Sequence, residues 1–266
     1  MRILKWTSVV AAAIFFSACT VKKAQDATKE RKLVWGDEFE YEGLPDGSKW
    51  DYEEGMLRNG EAQYYTRADA DNVQVGNGLL TITALPDDEG RAEYTSASLL
   101  TKGKKSFLYG YFEVRAMVQS GKGTWPAIWM LGENIDVVDW PACGEIDIME
   151  NVGFDSLRVH GNIHTEAFNH VKNTNKGNSI LVEKPWEQFH VYAVDWREDK
   201  IDFFVDDELY FSYEKPENAT DAEWPFDKPH FLIINLAIGG GWGGQQGIDT
   251  TRFPHHYEID YVRVYE

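Results

Sequence analysis

The most informative stretch of this 266-residue sequence reads Cys143-Gly144-Glu145-Ile146-Asp147-Ile148-Met149-Glu150-Asn151. Its β-branched and apolar residues favour a buried β-strand, although three carboxylates lie among them. Because side chains alternate along a strand, Glu145 and Asp147 share one face, whereas strict alternation would turn Glu150 into the core. An ionised, unpaired carboxylate there would cost several kcal/mol. We therefore predict a β-bulge at Ile148-Met149, which returns Glu150 to the face of the other two acids.

Three acids in a row on one face are the arrangement that glycoside hydrolysis requires. A retaining glycosidase places two carboxyl groups about 5–5.5 Å apart, one as the nucleophile and one as the acid and base. With the bulge, the α-carbons of Glu145 and Glu150 should lie roughly 13 Å apart, a gap that two glutamates can narrow around one sugar ring. Asp147 can hydrogen-bond the nucleophile and keep the pKa values of the two glutamates apart. The alternative is a surface strand with solvated acids, which the apolar and aromatic flanks disfavour.

The segment from Gly144 to Glu150 resembles the active-site signature of glycoside hydrolase family 16. The form with Met149 is similar to the laminarinase (endo-β-1,3-glucanase) branch, because the lichenase branch lacks that residue. The resemblance extends from about residue 33 to residue 266 and includes Trp35-Gly36-Asp37-Glu38-Phe39, Asn59-Gly60-Glu61-Ala62-Gln63-Tyr64-Tyr65-Thr66, Gly123-Thr124-Trp125-Pro126-Ala127-Ile128-Trp129-Met130-Leu131 and Ile259-Asp260-Tyr261-Val262-Arg263-Val264-Tyr265. It implies a β-jelly-roll sandwich of two curved antiparallel sheets with a concave substrate cleft. The implied activity is retaining, endo-acting cleavage of laminarin-like β-1,3-glucan, with no cofactor for catalysis.

The residues themselves indicate short strands separated by turns. Residues 73–83 predict a hairpin around Gly76-Asn77-Gly78, and residues 111–118 alternate between apolar and charged side chains. Further strands are expected at 189–196, 201–205, 231–238 and 257–265, without a helical pattern of useful length. Many short strands with glycine-rich turns predict an all-β sandwich or barrel. The length and the 43% hydrophobic content allow one large domain, which we place at residues 32–266.

The composition limits the ligands of this domain. A formal charge of −18 argues against nucleic acid and anionic membrane surfaces, and it disfavours polyanionic substrates. Aromatic residues make up 14% of the chain, a surplus that suits stacking on sugar rings. We expect a polysaccharide ligand and a monomeric protein.

The N-terminus predicts export. Arg2 and Lys5 precede an apolar run at residues 9–16 that is too short to span a membrane, so residues 1–18 resemble a signal peptide. The segment Phe16-Ser17-Ala18-Cys19 resembles a bacterial lipobox, which would make Cys19 the lipidated first residue and the only link to a membrane. Residues 19–31 are polar and fit a flexible tether. The expected location is the bacterial cell envelope, at the outer membrane or cell surface; the alternative is a secreted protein cut nearby.

Aromatic and polar motifs supply the substrate-binding candidates. Trp125 and Trp129 share parity on a predicted strand, so one face can present both rings to sugars, with core packing as the alternative. Asn59 and Glu61 also share parity and can bind sugar hydroxyls, unless they belong to a solvated loop. Trp242 lies in a glycine-rich segment that predicts a loop reaching the cleft. Many laminarinase-like sequences have Asn where Gly241 stands.

A predicted hairpin brings histidines to the acids. Antiparallel counting across the turn at residues 151–156 places His160 near Glu150 and His164 near Glu145. A histidine beside a carboxylate can tune its proton affinity, whereas a structural hydrogen-bonded histidine is the alternative. The family pattern favours His164, which we assign to the substrate site.

The resemblance also implies a structural calcium on the outer face, at the positions of Glu38, Gly78 and Asp260. Oxygen ligands suit calcium, and no zinc-type cluster is visible in the sequence.

Two functional classes remain open at this stage. One is a retaining endo-glucanase, and the other is a non-catalytic glucan-binding module on the same fold. Intact Glu145, Asp147 and Glu150 favour the enzyme, because a binding module has no need of two convergent glutamates. Within the enzyme class, the alternatives are a mixed-linkage β-glucanase and a red-algal galactan hydrolase of the agarase or porphyranase type.

Overall fold

The computed structural model describes residues 31–266, so the predicted signal peptide, Cys19 and nearly all of the predicted tether lie outside the described residues. The described part contains seventeen β-strands, one helical turn, α1 (Ile135–Val138), and two 3-10 turns, Gly153–Asp155 and His170–Lys172. In chain order the strands are β1 (Leu33–Asp37), β2 (Asp51–Tyr52), β3 (Gln63–Tyr65), β4 (Val73–Gly76), β5 (Leu79–Pro86), β6 (Tyr94–Ser96), β7 (Ser98–Leu100), β8 (Gly110–Met117), β9 (Thr124–Gly132), β10 (Glu145–Asn151), β11 (Arg158–His164), β12 (Lys176–Leu181), β13 (His190–Trp196), β14 (Lys200–Val205), β15 (Glu208–Glu214), β16 (His230–Ile238) and β17 (His255–Tyr265).

The strands form two sheets. The larger sheet has ten strands in the order β15-β14-β13-β8-β17-β5-β6-β3, with β1 paired to β17 and β4 paired to β5. The smaller sheet has seven strands in the order β12-β11-β10-β9-β16-β7-β2. Of these pairings only that of β3 with β6 is parallel. Each strand predicted from the sequence is present, including the hairpin of β4 and β5.

One apolar core joins the two sheets. Ile146 and Ile148 from β10 belong to the same buried cluster as Tyr192 and Phe203 from the larger sheet. On β8 the apolar residues of the alternating pattern are buried in this cluster, as the sequence predicts. A fully buried aliphatic or aromatic side chain contributes about 1.5–3 kcal/mol, so this layer is the main source of stability. The predicted all-β sandwich is therefore confirmed.

Strand β10 is central in the smaller sheet and contains the predicted bulge. Its register with β11 pairs Glu145 with His164, Asp147 with Asn162 and Glu150 with His160. Ile148 and Met149 therefore lie opposite the single residue Gly161. Both side chains are completely buried, so the extra residue keeps apolar groups in the core while Glu150 returns to the acidic face. The bulge and both histidine pairings are confirmed.

Cys143, which precedes β10, is a free and fully buried thiol. Burial, followed by the charge of Glu145, raises its pKa to about 12, so the group stays protonated and unreactive. Among the residues that the structure describes, no helix combines the length and apolar character needed to span a bilayer.

Candidate active site

A cleft of about 940 Å³ lies on the face of the seven-stranded sheet opposite the core. Its floor is formed by Trp125, Ala127, Trp129, Leu131, Glu145, Asp147, Glu150, His160, Asn162, His164, Asn235 and Ala237. Its walls are formed by Glu53, Leu57, Arg58, Asn59, Glu61, Trp140, His170, Asn175, Gly241 and Trp242. The structure therefore brings together all three predicted acids and all six predicted substrate-binding residues.

The carboxyl group of Glu145 is held by aromatic donors. The indole Nε1 of Trp140 donates a 2.8 Å hydrogen bond to its Oε2. The Nε2 atom of His164 lies 3.7 Å from Oε1 of Glu145 and 3.2 Å from Oδ2 of Asp147. His164 is 5% exposed, and its ring also packs against Trp140 and His170.

Glu150 accepts a hydrogen bond on each carboxyl oxygen. Trp125 on β9 donates from Nε1 to Oε1 at 3.1 Å, and Asn162 on β11 donates from Nδ2 to Oε2 at 3.2 Å. Because β9 and β11 flank β10, one donor comes from each neighbouring strand. The two N–H groups fix the orientation of the carboxyl plane in the cleft.

The three acids share a desolvated site. Burial, followed by the charge of Asp147, raises the pKa of Glu145 to about 8. Burial, followed by the charge of Glu145, raises the pKa of Glu150 to about 7. Burial and then the charge of Glu150 hold the pKa of Asp147 well above its usual value. The acids therefore keep a proton between them near neutral pH, which a general acid requires.

The two predicted tryptophans differ in their surroundings. Trp125 is half-buried, and its ring meets that of Trp242 edge to face at a centroid distance of 5.4 Å. The ring of His160 also meets Trp242 edge to face, at a centroid distance of 4.9 Å. Trp129 is 8% exposed, belongs to a small apolar cluster and carries the guanidinium of Arg58 at 4.9 Å from its ring centroid. Trp125 of the floor and Trp242 of the wall thus form one aromatic surface, whereas Trp129 is mainly packed.

Asn59 and Glu61 belong to a hydrogen-bonded wall and not to a solvated loop. Asn59 Nδ2 donates to Oε1 of Glu61 at 3.1 Å, and Gln63 Nε2 donates to Oε2 at 2.7 Å. The backbone N–H of Gly241 donates to the carbonyl of Asn59 at 2.9 Å, which ties the glycine-rich loop to this wall. Asn59 is exposed to the cleft, so its amide can reach a sugar hydroxyl.

Metal binding can be judged from the donor groups. In the described part of the chain, the one cluster of three ligand-type side chains, within 4.8 Å of one another, is Glu145, Asp147 and His164 on the cleft floor. The implied calcium positions look different. Glu38 accepts two 2.8 Å hydrogen bonds from Arg263, and Asp260 pairs with Arg115. A guanidinium therefore neutralises each carboxylate, so calcium could bind these side chains only in place of Arg263 and Arg115.

Sequence reasoning missed several residues of the site. Asn162 had a usable signal, since it shares parity with His160 and His164 on β11 and pairs with Asp147. Trp140 and Asn175 had none, because both lie in connections whose path the sequence pattern does not specify. Asn235 on β16 accepts a 2.7 Å bond from Trp129 Nε1, a contact that depends on strand order.

Comparison with known proteins agrees with this geometry. Residues 60–263 match the family described as glycosyl hydrolases family 16. The chain is 51% identical to a β-glucanase of Rhodothermus marinus over 249 residues, which are 90% of this chain and 87% of that protein. The crystal structure of the laminarinase from Rhodothermus marinus is 50% identical, with a TM-score of 0.86, and the match covers 89% of this chain and 97% of that chain.

A second solved structure, a non-specific endo-β-1,3(4)-glucanase, is 45% identical, with a TM-score of 0.85 and coverage of 90% of this chain and 92% of that chain. The shared fold confirms the predicted jelly-roll sandwich. Since the family match spans most of the sequence and includes all three acids of the cleft floor, the chain belongs to glycosyl hydrolases family 16.

Proposed function

We propose that this protein is a retaining endo-β-1,3-glucanase. The observation that carries the proposal is the bulged strand β10, which places Glu145, Asp147 and Glu150 on the floor of one cleft. The 51% identity to a β-glucanase and the likeness to a laminarinase structure support the substrate class.

In the first step, the carboxylate of Glu145 attacks the anomeric carbon while Glu150 gives its proton to the leaving glycosidic oxygen. The glycosidic bond breaks and a covalent glycosyl–enzyme ester forms. In the second step, water attacks the same carbon, gives its proton to Glu150 and releases Glu145, so the anomeric configuration is retained. Both steps use the protein's own carboxyl groups and need no cofactor.

The contacts of the two glutamates support these roles. The N–H of Trp140 and the imidazole of His164 stabilise the carboxylate of Glu145, the form that acts as nucleophile, and so oppose burial, which still raises its pKa to about 8. When Glu145 attacks, the proton of the three acids must therefore lie on Glu150 or Asp147. Asp147 lies between the two glutamates on β10 and shares the proton that the three acids keep near neutral pH. The raised pKa of Glu150, about 7, suits a group that must donate and then accept a proton near neutral pH.

A mixed-linkage activity is the second candidate. It is favoured by the 45% identity to an endo-β-1,3(4)-glucanase described as non-specific. Digestion of laminarin, mixed-linkage glucan, agarose and porphyran, read as reducing ends, tests both. We expect laminarin to be cleaved fastest, with NMR showing β-configured early products. Binding to laminarin without turnover would support a glucan-binding module, and cleavage of agarose alone would support a galactan hydrolase.

We also propose a lipid anchor at Cys19, which the sequence alone supports. Multiple acyl chains hold a protein stably at a membrane where one chain does not. Cys19→Ala should block processing or release soluble protein. Wild-type protein found only in the medium, with an N-terminus after Cys19, would rule out the anchor and leave the enzymatic proposal intact. A monomer and a structural calcium remain predictions, and light scattering and melting with and without a chelator test them.

A further inference from the structure

The amide of Asn162 is held from two sides. Its Nδ2 donates to Oε2 of Glu150 at 3.2 Å, and its Oδ1 accepts a 3.1 Å hydrogen bond from Nδ2 of Asn175. The two ends of a side-chain amide are nearly identical in shape, so its hydrogen-bond partners decide which end faces a neighbour. Because Asn175 occupies the oxygen end, the N–H end of Asn162 faces Glu150.

A glycine makes room for this arrangement. Gly177 on β12 pairs directly with Asn162 on β11. A β-carbon at Gly177 would lie 2.0 Å from Oδ1 of Asn162, closer than any real contact allows. Its backbone φ is not in the left-handed region, so the glycine is needed for space and not for backbone conformation. The side chain of Asn162 can therefore lie across the edge strand and reach Asn175.

We infer that Asn162 and Asn175 form an amide clamp that positions the acid/base Glu150 and sets its protonation equilibrium. The inference rests on the proposed function only for the catalytic role of Glu150. Asn175 acts through Asn162 and is a positioning residue.

The direction of the effect follows from the donors. An N–H that faces Glu150 stabilises its carboxylate form and opposes the effect of burial. If Asn162 reversed, its carbonyl oxygen would repel the carboxylate and accept a hydrogen bond from the protonated acid. The clamp thus holds the pKa of Glu150 lower than burial alone would place it, which helps Glu150 to accept a proton from water in the second step. The other titratable groups around Glu150 are Glu145, Asp147, His160, His164 and Tyr210.

Replacing Asn175 tests the clamp. In Asn175→Asp the new carboxylate accepts from Nδ2 of Asn162 and so turns Oδ1 toward Glu150. Titration of the Glu150 carboxyl carbon by ¹³C NMR, assigned by its loss in Glu150→Gln, should show a pKa raised by about one unit. The basic limb of the pH profile of kcat/KM on laminarin should move to higher pH by the same amount as this pKa. Asn175→Ala frees the amide without forcing its reversal, and should give a smaller shift in the same direction.

Asn173→Asp is the matched control, because it adds the same charge to the same connection. Asn173 has left-handed backbone geometry, which Asp tolerates, and its side chain takes no part in the cleft hydrogen bonds. The control should leave the pKa of Glu150 at its wild-type value. Gly177→Ala displaces the Asn162 amide while keeping both asparagines, but its added carbon also lies 2.6 Å from the carbonyl oxygen of Gly161 and strains the pairing of β11 with β12. It should raise the pKa as Asn175→Ala does and also lower the melting temperature.

The clamp is refuted if Asn175→Asp leaves the Glu150 titration unchanged, or if Asn173→Asp shifts it equally. A raised KM with an unmoved pH profile would also refute it, because Asn175 would then be only a substrate contact. The NMR titration uses substrate-free protein, so it decides the clamp even if wild-type protein fails to hydrolyse laminarin. That failure would count against the proposed function alone.

Discussion

Strands β8 and β10 both combine buried apolar residues with charged residues on the opposite face, β10 with the help of its bulge, but they use the charged residues in opposite ways. On β8, Glu113 and Arg115 face outward and have ionic partners: Arg263 lies 3.7 Å from Glu113, and Arg115 pairs with Asp260. On β10, the three acids face a cleft and, within the described residues, the ionic contacts found are those of Glu145 and Asp147 with His164. One strand thus neutralises its charges, while the other gathers like charges in a desolvated site.

The difference indicates what each strand is for. Exposed ion pairs are worth about 0–1 kcal/mol, so the charges of β8 mainly keep an outer face soluble. The acids of β10 repel one another and resist ionisation, an arrangement that destabilises the fold and is kept at functional sites. Variants of the two strands should therefore separate activity from stability.

The largest expected effect is on activity. Glu145→Gln and Glu150→Gln should each lower kcat on laminarin by about 10³-fold or more, because each removes a group that takes part in bond making or proton transfer. Circular dichroism should show a folded protein. The matched control on β8, Glu113→Gln, should retain nearly full activity. Wild-type turnover by either cleft variant would refute the catalytic assignment.

The second effect concerns the bulge. Deletion of Met149 removes the extra residue that lies opposite Gly161, so it shortens the separation of Glu150 from Glu145 and shifts Glu150 away from its donors Trp125 and Asn162. Activity should therefore fall by about 100-fold or more. Met149→Leu keeps the residue count and the apolar volume, and should stay close to wild type in both kcat and melting temperature. A deletion variant with full activity would show that the bulge is not required for catalysis.

The third effect is a pH dependence of stability. The pKa values of Glu145 and Glu150 are raised to about 8 and about 7, above their unfolded value of about 4.3. Their protonation therefore stabilises the fold fully below about pH 4, and this contribution is lost as pH rises through 7 to 8. Relative to a Glu145→Gln/Glu150→Gln variant, the wild type should lose roughly 3 °C or more in Tm between pH 5 and 9.

The same thermal unfolding measurements should include Glu113→Gln as a control. Its Tm should depend on pH as that of the wild type does, because both cleft glutamates remain in place. A constant difference in Tm between the wild type and the double variant across this range would contradict the raised pKa values.

The smallest effect is expected on β8. Arg115→Ala removes the pair with Asp260 and a guanidinium stacked at 4.7 Å from the ring centroid of Phe189. Because the group is partly exposed, stability should fall by about 1 kcal/mol or less, read from urea unfolding. The kcat value should not change. A large loss of activity would show that the two sheets are coupled through this position.

Local patterns were enough to predict the strands and the bulge. The alternation on β8 and the misplaced acid at Glu150 both follow from two-residue periodicity, which is a property of the chain itself. Counting across a turn also paired His164 with Glu145 correctly, because the register of a short hairpin is set by the residues between its strands. The same reasoning left the role of Trp129 open, since burial of a ring depends on what packs above it.

The sequence by itself determined the all-β class, the acidic face of β10 and the residue types that line the cleft, because period, volume and charge are fixed by the order of residues. Only the tertiary structure decided which distant groups meet the acids. Trp140 reaches Glu145 from the connection after α1, Asn175 orients Asn162, and Arg58 covers Trp129. These contacts join segments that are far apart in the chain or lie in irregular connections. Their positions follow from sheet order and loop paths, which no local pattern encodes.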